Sequence, residues 1–263
     1  FRSPVVVQRV NDRDEAELAY LQDAGITPAR PIEVVCFTGE EGTRFADGVL
    51  GSSVAAGLLD TDAALELSDG SVTLREALQD IGFHGESRID ATDWHAWLEL
   101  HVEQGPKLED SNLSVGIVEG VYGFVWFGAV FEGSADHAGP TPMHLRHDAL
   151  VATGDVIDAV RRIAGTGGED LVGTVGSLDV SPNSINVIPE RVDFTVDFRS
   201  YDDSVVDRAA DRIREEIDHA AKREGIETEY EEIMRIESQS FDESVTEAVA
   251  DAADALDADA TRL

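Results

Sequence analysis

Residues 191–199 read RVDFTVDFR. Within this stretch Val192, Phe194, Val196 and Phe198 alternate strictly with polar or charged residues. Successive side chains of a β-strand point to opposite faces, so the alternation predicts a strand with one buried face and one exposed face. The neighbouring segments should therefore supply the helices and strands that cover the apolar face.

The segments on both sides of this strand predict an α+β domain over residues 121–236. The apolar patterns predict strands at 121–131, 171–180 and 227–236, and helices at 147–163 and 206–217. The resulting order is strand, helix, strand, strand, helix, strand. This is the order of a ferredoxin-like sandwich, in which both helices cover one face of an antiparallel sheet.

The remaining residues, 1–120 and 237–263, indicate an α/β pattern in which helices and strands alternate. We expect helices at 12–24, 94–101 and 243–256 and a buried central strand at 32–37. These elements are too few for a complete three-layer α/β domain. We therefore expect an incomplete α/β domain into which 121–236 is inserted, and a chain that is part of a longer protein.

The charge balance of the 263 residues excludes some classes of partner. Asp and Glu number 54 against 20 Lys and Arg, which gives a formal net charge of −34. Such a surface repels nucleic-acid phosphates and anionic lipids, so neither is expected as a partner. The same composition is typical of halophilic proteins, because concentrated salt screens the self-repulsion.

The single cysteine, Cys36, excludes an internal disulfide and indicates a reducing compartment. It lies within the apolar run at 32–37, where we expect a buried structural thiol. The sequence has no apolar run long enough for a membrane span, and its first residues do not resemble a signal peptide. We therefore expect a cytoplasmic protein.

The first candidate site is the segment 38–45, TGEEGTRF, after the predicted central strand. Ligands bind at the carboxyl ends of strands in open α/β sheets. Adjacent carboxylates such as Glu40 and Glu41 can divide the work, one as a metal ligand and one as a general base. Gly39 and Gly42 would permit a tight backbone path. The alternative is one more acidic pair among 54 acids.

Three further segments carry candidate residues. His101 lies in ELHVEQGP at 99–106 and is a candidate metal ligand. His137 lies among small residues and could polarise a carbonyl group. Arg199 could grip a carboxylate through its two-pronged guanidinium, with Asn186 as a hydrogen-bonding partner. The alternatives are structural or solvent-exposed histidines and a surface ion pair for Arg199.

Taken together and in this order, the four motifs resemble those of a known protein family, although no single motif is sufficient. The matching stretches are 31–45 (PIEVVCFTGEEGTRF), 99–109 (ELHVEQGPKLE), 133–150 (GSADHAGPTPMHLRHDAL) and 183–199 (NSINVIPERVDFTVDFR). The sequence resembles the aminoacylase-like binuclear metallohydrolases, in the branch of N-carbamoyl-L-amino-acid hydrolase, β-ureidopropionase and allantoate amidohydrolase. The EEG-x-RF and HVEQGP pieces are distinctive of this branch.

The resemblance implies a zinc-peptidase-like catalytic domain formed by 1–120 and 237–263, with 121–236 as a lid and dimerisation domain. It implies two divalent metal ions, zinc or manganese, and a homodimer. The chain lacks the family's early His and bridging Asp and its C-terminal Gly-His-Asp stretch. Of five metal ligands it supplies two, Glu41 and His101, so we expect this chain alone to bind metal weakly and to turn over little substrate.

Roles for the other residues follow from the same resemblance. Glu40 is implied as the general base that activates the metal-bridging water. His137 is implied as the group that stabilises the oxyanion, often in the partner subunit's site. Gln104 is placed in the substrate pocket, and Asn186 and Arg199 are implied to hold the substrate carboxylate.

The expected reaction is hydrolysis of a linear amide C–N bond. An N-carbamoyl-L-amino acid would give the free amino acid, CO2 and NH3. Allantoate is the main competing substrate, and it also presents a carboxylate to Arg199. Two different interpretations stay open: a non-catalytic fragment without a complete metal site, and a peptidase of the same superfamily.

Overall fold

The computed structural model describes residues 8–10, 30, 32–46, 48–85, 89–168 and 170–263. The chain divides into two compact units, 1–100 and 101–263. The predicted helix at 12–24 lies outside the described residues. Among those residues, no helix combines the length and apolarity needed to cross a bilayer.

The first unit has short elements. Its strands are β1 (Gln8–Val10) and β2 (Ile32–Val34), which pair antiparallel, and its helices are α1 (Leu50–Ala55), α2 (Thr61–Leu65) and α3 (Leu74–Asp80). A small cluster centred on buried Leu50, Ala64 and Leu74 holds the three helices. Thr73 begins α3 with a capping box, in which its hydroxyl and the Glu76 carboxylate satisfy each other's backbone N–H groups.

Two sequence predictions for the first unit are wrong. The strand expected at 32–37 ends at Val34, and Cys36, which follows it, is exposed rather than buried. The segment 94–101 is not helical, although a short 3₁₀ turn precedes it. The spacing of Trp94 and Trp97 serves a stack of rings: Trp97 lies 4.9 Å from the Phe37 ring and 5.2 Å from that of Trp94.

The second unit begins with short connecting elements. They are helix α4 (Lys107–Ser111) and strands β3 (Val115–Ile117) and β4 (Gly120–Val121). At the other end of the unit lie β9 (Gln239–Ser240), helix α7 (Glu243–Ala255) and β10 (Ala260–Arg262). Strand β10, which the sequence analysis missed, pairs parallel with β3, and β9 pairs antiparallel with β4.

The main body of the second unit is a four-stranded antiparallel sheet covered by two long helices. Its elements are β5 (Gly123–Glu132), α5 (Ala149–Thr166), β6 (Val172–Ser181), β7 (Arg191–Ser200), α6 (Asp203–Glu224) and β8 (Glu227–Ile236). The strand order in the sheet is β6-β7-β5-β8. The predicted sequence of strands and helices is therefore confirmed.

The alternation predicted for the strand at 191–199 is also confirmed. Val192, Phe194, Val196 and Phe198 are buried in one cluster with the apolar faces of both helices, and the residues between them face away. Burial of apolar area at about 25 cal/mol per Å² is the dominant stabilising contribution in such a core. The opposite face of the sheet is left uncovered by α5 and α6.

Candidate active site

Glu40 and Glu41 lie on a tight turn whose path is fixed by backbone hydrogen bonds. The carbonyl groups of residues 38, 39 and 40 accept hydrogen bonds from the N–H groups of 51, 50 and 49, at 2.9, 3.3 and 2.9 Å. Gly39 and Gly42 have φ of +68° and +65°, values that favour glycine. The start of α1 therefore anchors the turn, and both predicted glycines have the conformation that the tight path requires.

The two carboxylates of this turn are close enough to act on one group. An oxygen of Glu40 lies within 4.8 Å of an oxygen of Glu41, with Glu40 half-buried and Glu41 exposed. Oxygen donors of this kind suit hard divalent cations and zinc. A pair with one exposed and one sheltered carboxylate can bind an ion with one member and accept a proton with the other.

Arg44, from the same motif, has a structural task. Its Nε donates to Asp69 at 2.7 Å, and its guanidinium lies over the Phe45 ring. The backbone N–H of Val72, the hydroxyl and N–H of Ser71, and Arg44 together hold the pKa of Asp69 well below its usual range. The arginine thus joins the motif to the loop before α3, a role that the sequence pattern did not reveal.

His101 lies in an extended segment at the start of the second unit. Its Nδ1 is 2.7 Å from the carbonyl oxygen of Val102, which can only accept a hydrogen bond, so Nδ1 carries the proton. In the neutral ring, Nε2 is then the nitrogen that can ligate a metal, as in metal-ligating histidines whose other nitrogen donates to a carbonyl group. The ring is exposed and suited to the predicted ligand role.

The rest of the HVEQGP motif shapes the backbone beside His101. The Glu103 carboxylate accepts hydrogen bonds from the N–H groups of Lys107 and Leu108, at 2.8 and 3.0 Å, and so caps the first turn of α4. Gln104 is exposed with φ of +54°. Sequence reasoning missed the cap, although a carboxylate just before Gly-Pro and a helix is a usable signal.

His137 lies in the loop after β5, next to Asn186. The backbone N–H of Gly139 donates to His137 Nδ1 at 3.0 Å, so Nε2 carries the proton and is a donor. Ala138 N–H donates to the carbonyl oxygen of Asn186 at 2.9 Å, and His137 forms a β-bridge with Val187. In their neutral forms the two rings therefore carry the proton on opposite nitrogens, Nδ1 in His101 and Nε2 in His137.

Further contacts fix this loop and the Asn186 amide. The Arg146 guanidinium donates to the carbonyl oxygens of Ala138 and Thr141, at 2.7 and 3.1 Å. Ser184 Oγ donates to Asn186 Oδ1 at 3.0 Å, which orients the amide nitrogen of Asn186 as a donor. Arg146 is a positioning residue that the sequence analysis overlooked.

Arg199 lies near the other end of β7, on the face away from the helices. Its Nε donates to Asp197 Oδ2 at 2.8 Å, and its guanidinium lies over the rings of Phe124 and Trp126, at 5.3 and 6.0 Å. Among the described residues, the two terminal nitrogens of Arg199 have no hydrogen-bond partner. They form a fork that can bind a carboxylate end-on.

One chain does not bring Asn186 and Arg199 together. Asn186 precedes β7, whose first residue, Arg191, pairs with Glu132, whereas Arg199 pairs with Phe124 at the opposite end of the sheet. At about 3.3 Å per residue, Arg191 and Arg199 lie roughly 26 Å apart. Within one chain, His137 and Asn186 thus form one group and Arg199 another.

Comparison with known proteins gives the family. The chain is 38% identical over 233 residues to an N-carbamoyl-L-amino acid amidohydrolase of Geobacillus stearothermophilus, covering 87% of this chain and 56% of the relative. It is 32% identical over 248 residues to a ureidoglycolate hydrolase of Arabidopsis thaliana, covering 90% of this chain and 52% of the relative. The chain thus spans a little over half the length of these relatives.

A solved structure and a family model agree with these relatives. The structure of an amidase of the hydantoinase/carbamoylase family from Burkholderia multivorans matches with a TM-score of 0.85 and 40% identity, over 92% of this chain and 59% of that one. Residues 16–262 match the model of peptidase family M20/M25/M40. The chain belongs to peptidase family M20/M25/M40.

Proposed function

We propose that the protein hydrolyses the linear amide bond of N-carbamoyl-L-amino acids, giving the amino acid, CO2 and NH3. The observation that carries the proposal is the guanidinium fork of Arg199, which Asp197 and the Phe124 and Trp126 rings hold in place and which can bind the carboxylate of such a substrate. The Nε2–H of His137 adds a donor for the oxyanion. Family membership and the named activity of the Geobacillus relative support it.

Two divalent metal ions, zinc or manganese, belong to this proposal. Glu41 and His101 would be ligands, since an exposed carboxylate and an imidazole lone pair both suit these ions. When bound, the ions supply Lewis acidity toward water and the amide carbonyl. Glu41 and His101 belong to different units, and their joint role is part of the proposal.

The chain's own residues would then divide the reaction. Glu40 accepts a proton from the attacking water and delivers it to the departing nitrogen. His137 donates its Nε2–H to the carbonyl oxygen as negative charge develops there. Arg199 binds the substrate carboxylate, while the Asn186 amide and Gln104 contact the substrate.

A homodimer through residues 121–236 would resolve the separation of the two groups. If the His137 and Asn186 of one subunit reach the site whose carboxylate is held by the partner subunit's Arg199, each substrate contacts both chains. The edge strand β6 supports this arrangement, because residues 172–178 carry no charge, whereas the opposite edge, β8, contains four glutamates.

The composition supports two further parts of the proposal, a cytoplasmic location and adaptation to molar salt. At a net charge of −34, self-repulsion is screened when the Debye length falls to about 3 Å near 1 M salt. The melting temperature should therefore rise steadily from dilute buffer to molar KCl. An unchanged melting temperature would count against the adaptation.

Allantoate is a second candidate substrate. The named activity of the Arabidopsis relative supports a ureido compound with a carboxylate but without an amino-acid side chain. The alternative to an enzyme is a non-catalytic protein that binds carboxylates.

The decisive experiment measures binding of N-carbamoyl-L-amino acids by calorimetry, and ammonia release, in molar salt with manganese. We expect binding by the intact chain, and its loss in Arg199→Met but not in the control Arg161→Met, which alters an arginine on α5. Manganese binding should weaken in Glu41→Gln and His101→Gln but not in Glu99→Gln. Absence of substrate binding, or binding that ignores Arg199, would overturn the proposal.

The dimer has a separate test by complementation. Arg199→Met chains and Asn186→Ala chains should each bind substrate much more weakly as homodimers than the intact chain does. After mixing and exchange, heterodimers contain one intact site, so binding should return. A monomer in sedimentation, or no recovery on mixing, would contradict the shared site.

A further inference from the structure

The uncovered face of the sheet has two chemically different ends. At the end that includes Arg199, the outward residues on the neighbouring strands are apolar apart from Thr174: Phe124, Trp126, Val172, Met234 and Ile236. At the other end they are mainly acidic, with Arg191 as a cation paired to two of them: Glu132, Asp179, Asp193, Glu227 and Glu229. An anionic ligand is repelled from the acidic end and attracted to Arg199 at the apolar end.

Arg199 is held in place at this apolar end. The Asp197 carboxylate accepts a hydrogen bond from Arg199 Nε. The guanidinium plane lies over the rings of Phe124 and Trp126, which are 5.0 Å apart. An arginine restrained by an ion pair and by ring contacts loses little rotamer freedom when it binds a carboxylate. Its side chain remains 43% exposed, so the terminal fork is accessible.

The apolar residues next to the fork remain partly open to solvent. Val172 and Ile236 are 52% and 48% exposed, and Phe124 and Trp126 are half-buried. In an α-amino acid the side chain and the carboxylate leave the same carbon atom. A substrate whose carboxylate binds the Arg199 fork would therefore place its side chain within reach of these apolar groups.

We propose that Phe124 and Trp126, with Met234 and Ile236 beside them, form a subsite for an apolar substrate side chain. This inference rests on the proposed function and names its substrate class: N-carbamoyl derivatives of aromatic and branched aliphatic L-amino acids. Allantoate is disfavoured, because it carries a second polar ureido group where an amino acid carries its side chain, and burying that group against apolar surface is costly.

The test compares ligands that differ in the side chain alone. Calorimetry in molar salt with manganese should show N-carbamoyl-L-phenylalanine binding about tenfold more tightly than N-carbamoylglycine, as expected for partial burial of an apolar side chain. Trp126→Ala should bring this ratio close to one, whereas Trp126→Phe should keep most of it. The matched control is Val130→Ala, on the same strand and face at the acidic end. Far-UV circular dichroism checks the fold of each variant.

A second readout observes the subsite directly. In a variant with Trp94→Phe and Trp97→Phe, Trp126 is the sole tryptophan. At saturating ligand, its fluorescence should shift more with N-carbamoyl-L-phenylalanine than with N-carbamoylglycine, because both ligands bind the adjacent Arg199 but only the first contacts the ring.

The outcomes distinguish a failure of the subsite from a failure of the proposed function. Equal binding of the two carbamoyl ligands, tighter binding of allantoate, or an unchanged ratio in Trp126→Ala would overturn the subsite while the hydrolase proposal stands. Failure of both carbamoyl ligands to bind would overturn the proposed function, and the subsite with it.

Discussion

The sheet unit at 123–236 and the first hundred residues fix their side chains by different means. In the sheet unit, long strands and two helices enclose a continuous apolar core. In the described part of the first unit the corresponding cluster is centred on three residues, and the Glu40–Glu41 turn is held chiefly by backbone hydrogen bonds to α1. The sheet unit positions its side chains by the regular burial of its strands and helices. The first unit positions its side chains by turn geometry and helix caps.

Removing a core ring should have the largest effect and tests this contrast directly. Phe131 is fully buried, and its ring lies 5.2 Å from that of Phe194. We expect Phe131→Ala to lower the free energy of unfolding by about 3–5 kcal/mol, measured by urea titration. The half-exposed Ile157→Ala on α5 is the control and should cost far less. A similar loss in both variants would mean that the core is loosely packed.

A glycine at the junction of the sheet and the His137 loop should come next. A Cβ at Gly133 would collide with the carbonyl oxygen of His147, so Gly133→Ala should destabilise by roughly 1–3 kcal/mol, as overpacking does. The matched Gly154→Ala meets no atom on the exposed face of α5 and should stabilise by about 0.5–1 kcal/mol. Equal changes of melting temperature in the two variants would show that Gly133 does not lie against the carbonyl oxygen of His147.

A cap deletion probes the first unit. Thr73→Ala removes the capping box of α3 and should cost about 1 kcal/mol, measured as increased hydrogen exchange of α3 amides. Exchange in α5 should not change if the two units are stabilised independently. Thr61→Ala, at the start of α2, is the control, and an equal effect there would argue against a specific cap.

The smallest expected effect is on the stability of the protein at acidic pH. The pKa of Asp69 lies below its unfolded value because of hydrogen bonds from Val72 and Ser71 and pairing with Arg44. Its stabilising contribution is therefore present above the unfolded pKa of about 3.9, and it is lost as the pH falls through the folded pKa. Asp69→Asn should flatten the acid limb of the stability profile. A profile identical to that of the wild type would remove Asp69 from the acid response.

The sequence predicts the sheet unit well, because β7 alternates strictly and both long helices carry an apolar stripe. It fails at Trp94 and Trp97, because the Trp97 ring stacks on Phe37, which is distant in sequence, and the Trp94 ring packs against Trp97. The candidate residues are identified by motif, but their tautomers depend on single backbone partners such as Gly139. The separation of Asn186 from Arg199 follows from the strand direction, which the motif spacing of thirteen residues conceals.

The position of β5 in the sheet also has a consequence for synthesis. Phe124 pairs with Arg199 and Ile236, which follow it by 75 and 112 positions. At about 5–20 residues per second, a ribosome needs roughly 6–20 s to make the 112 residues that complete this pairing. Both edges of β5 lack their partners until β7 is made, and the second edge lacks its partner until β8 is made; its apolar face meanwhile waits for the two helices. For this protein, aggregation therefore threatens most during translation, before the finished fold exists.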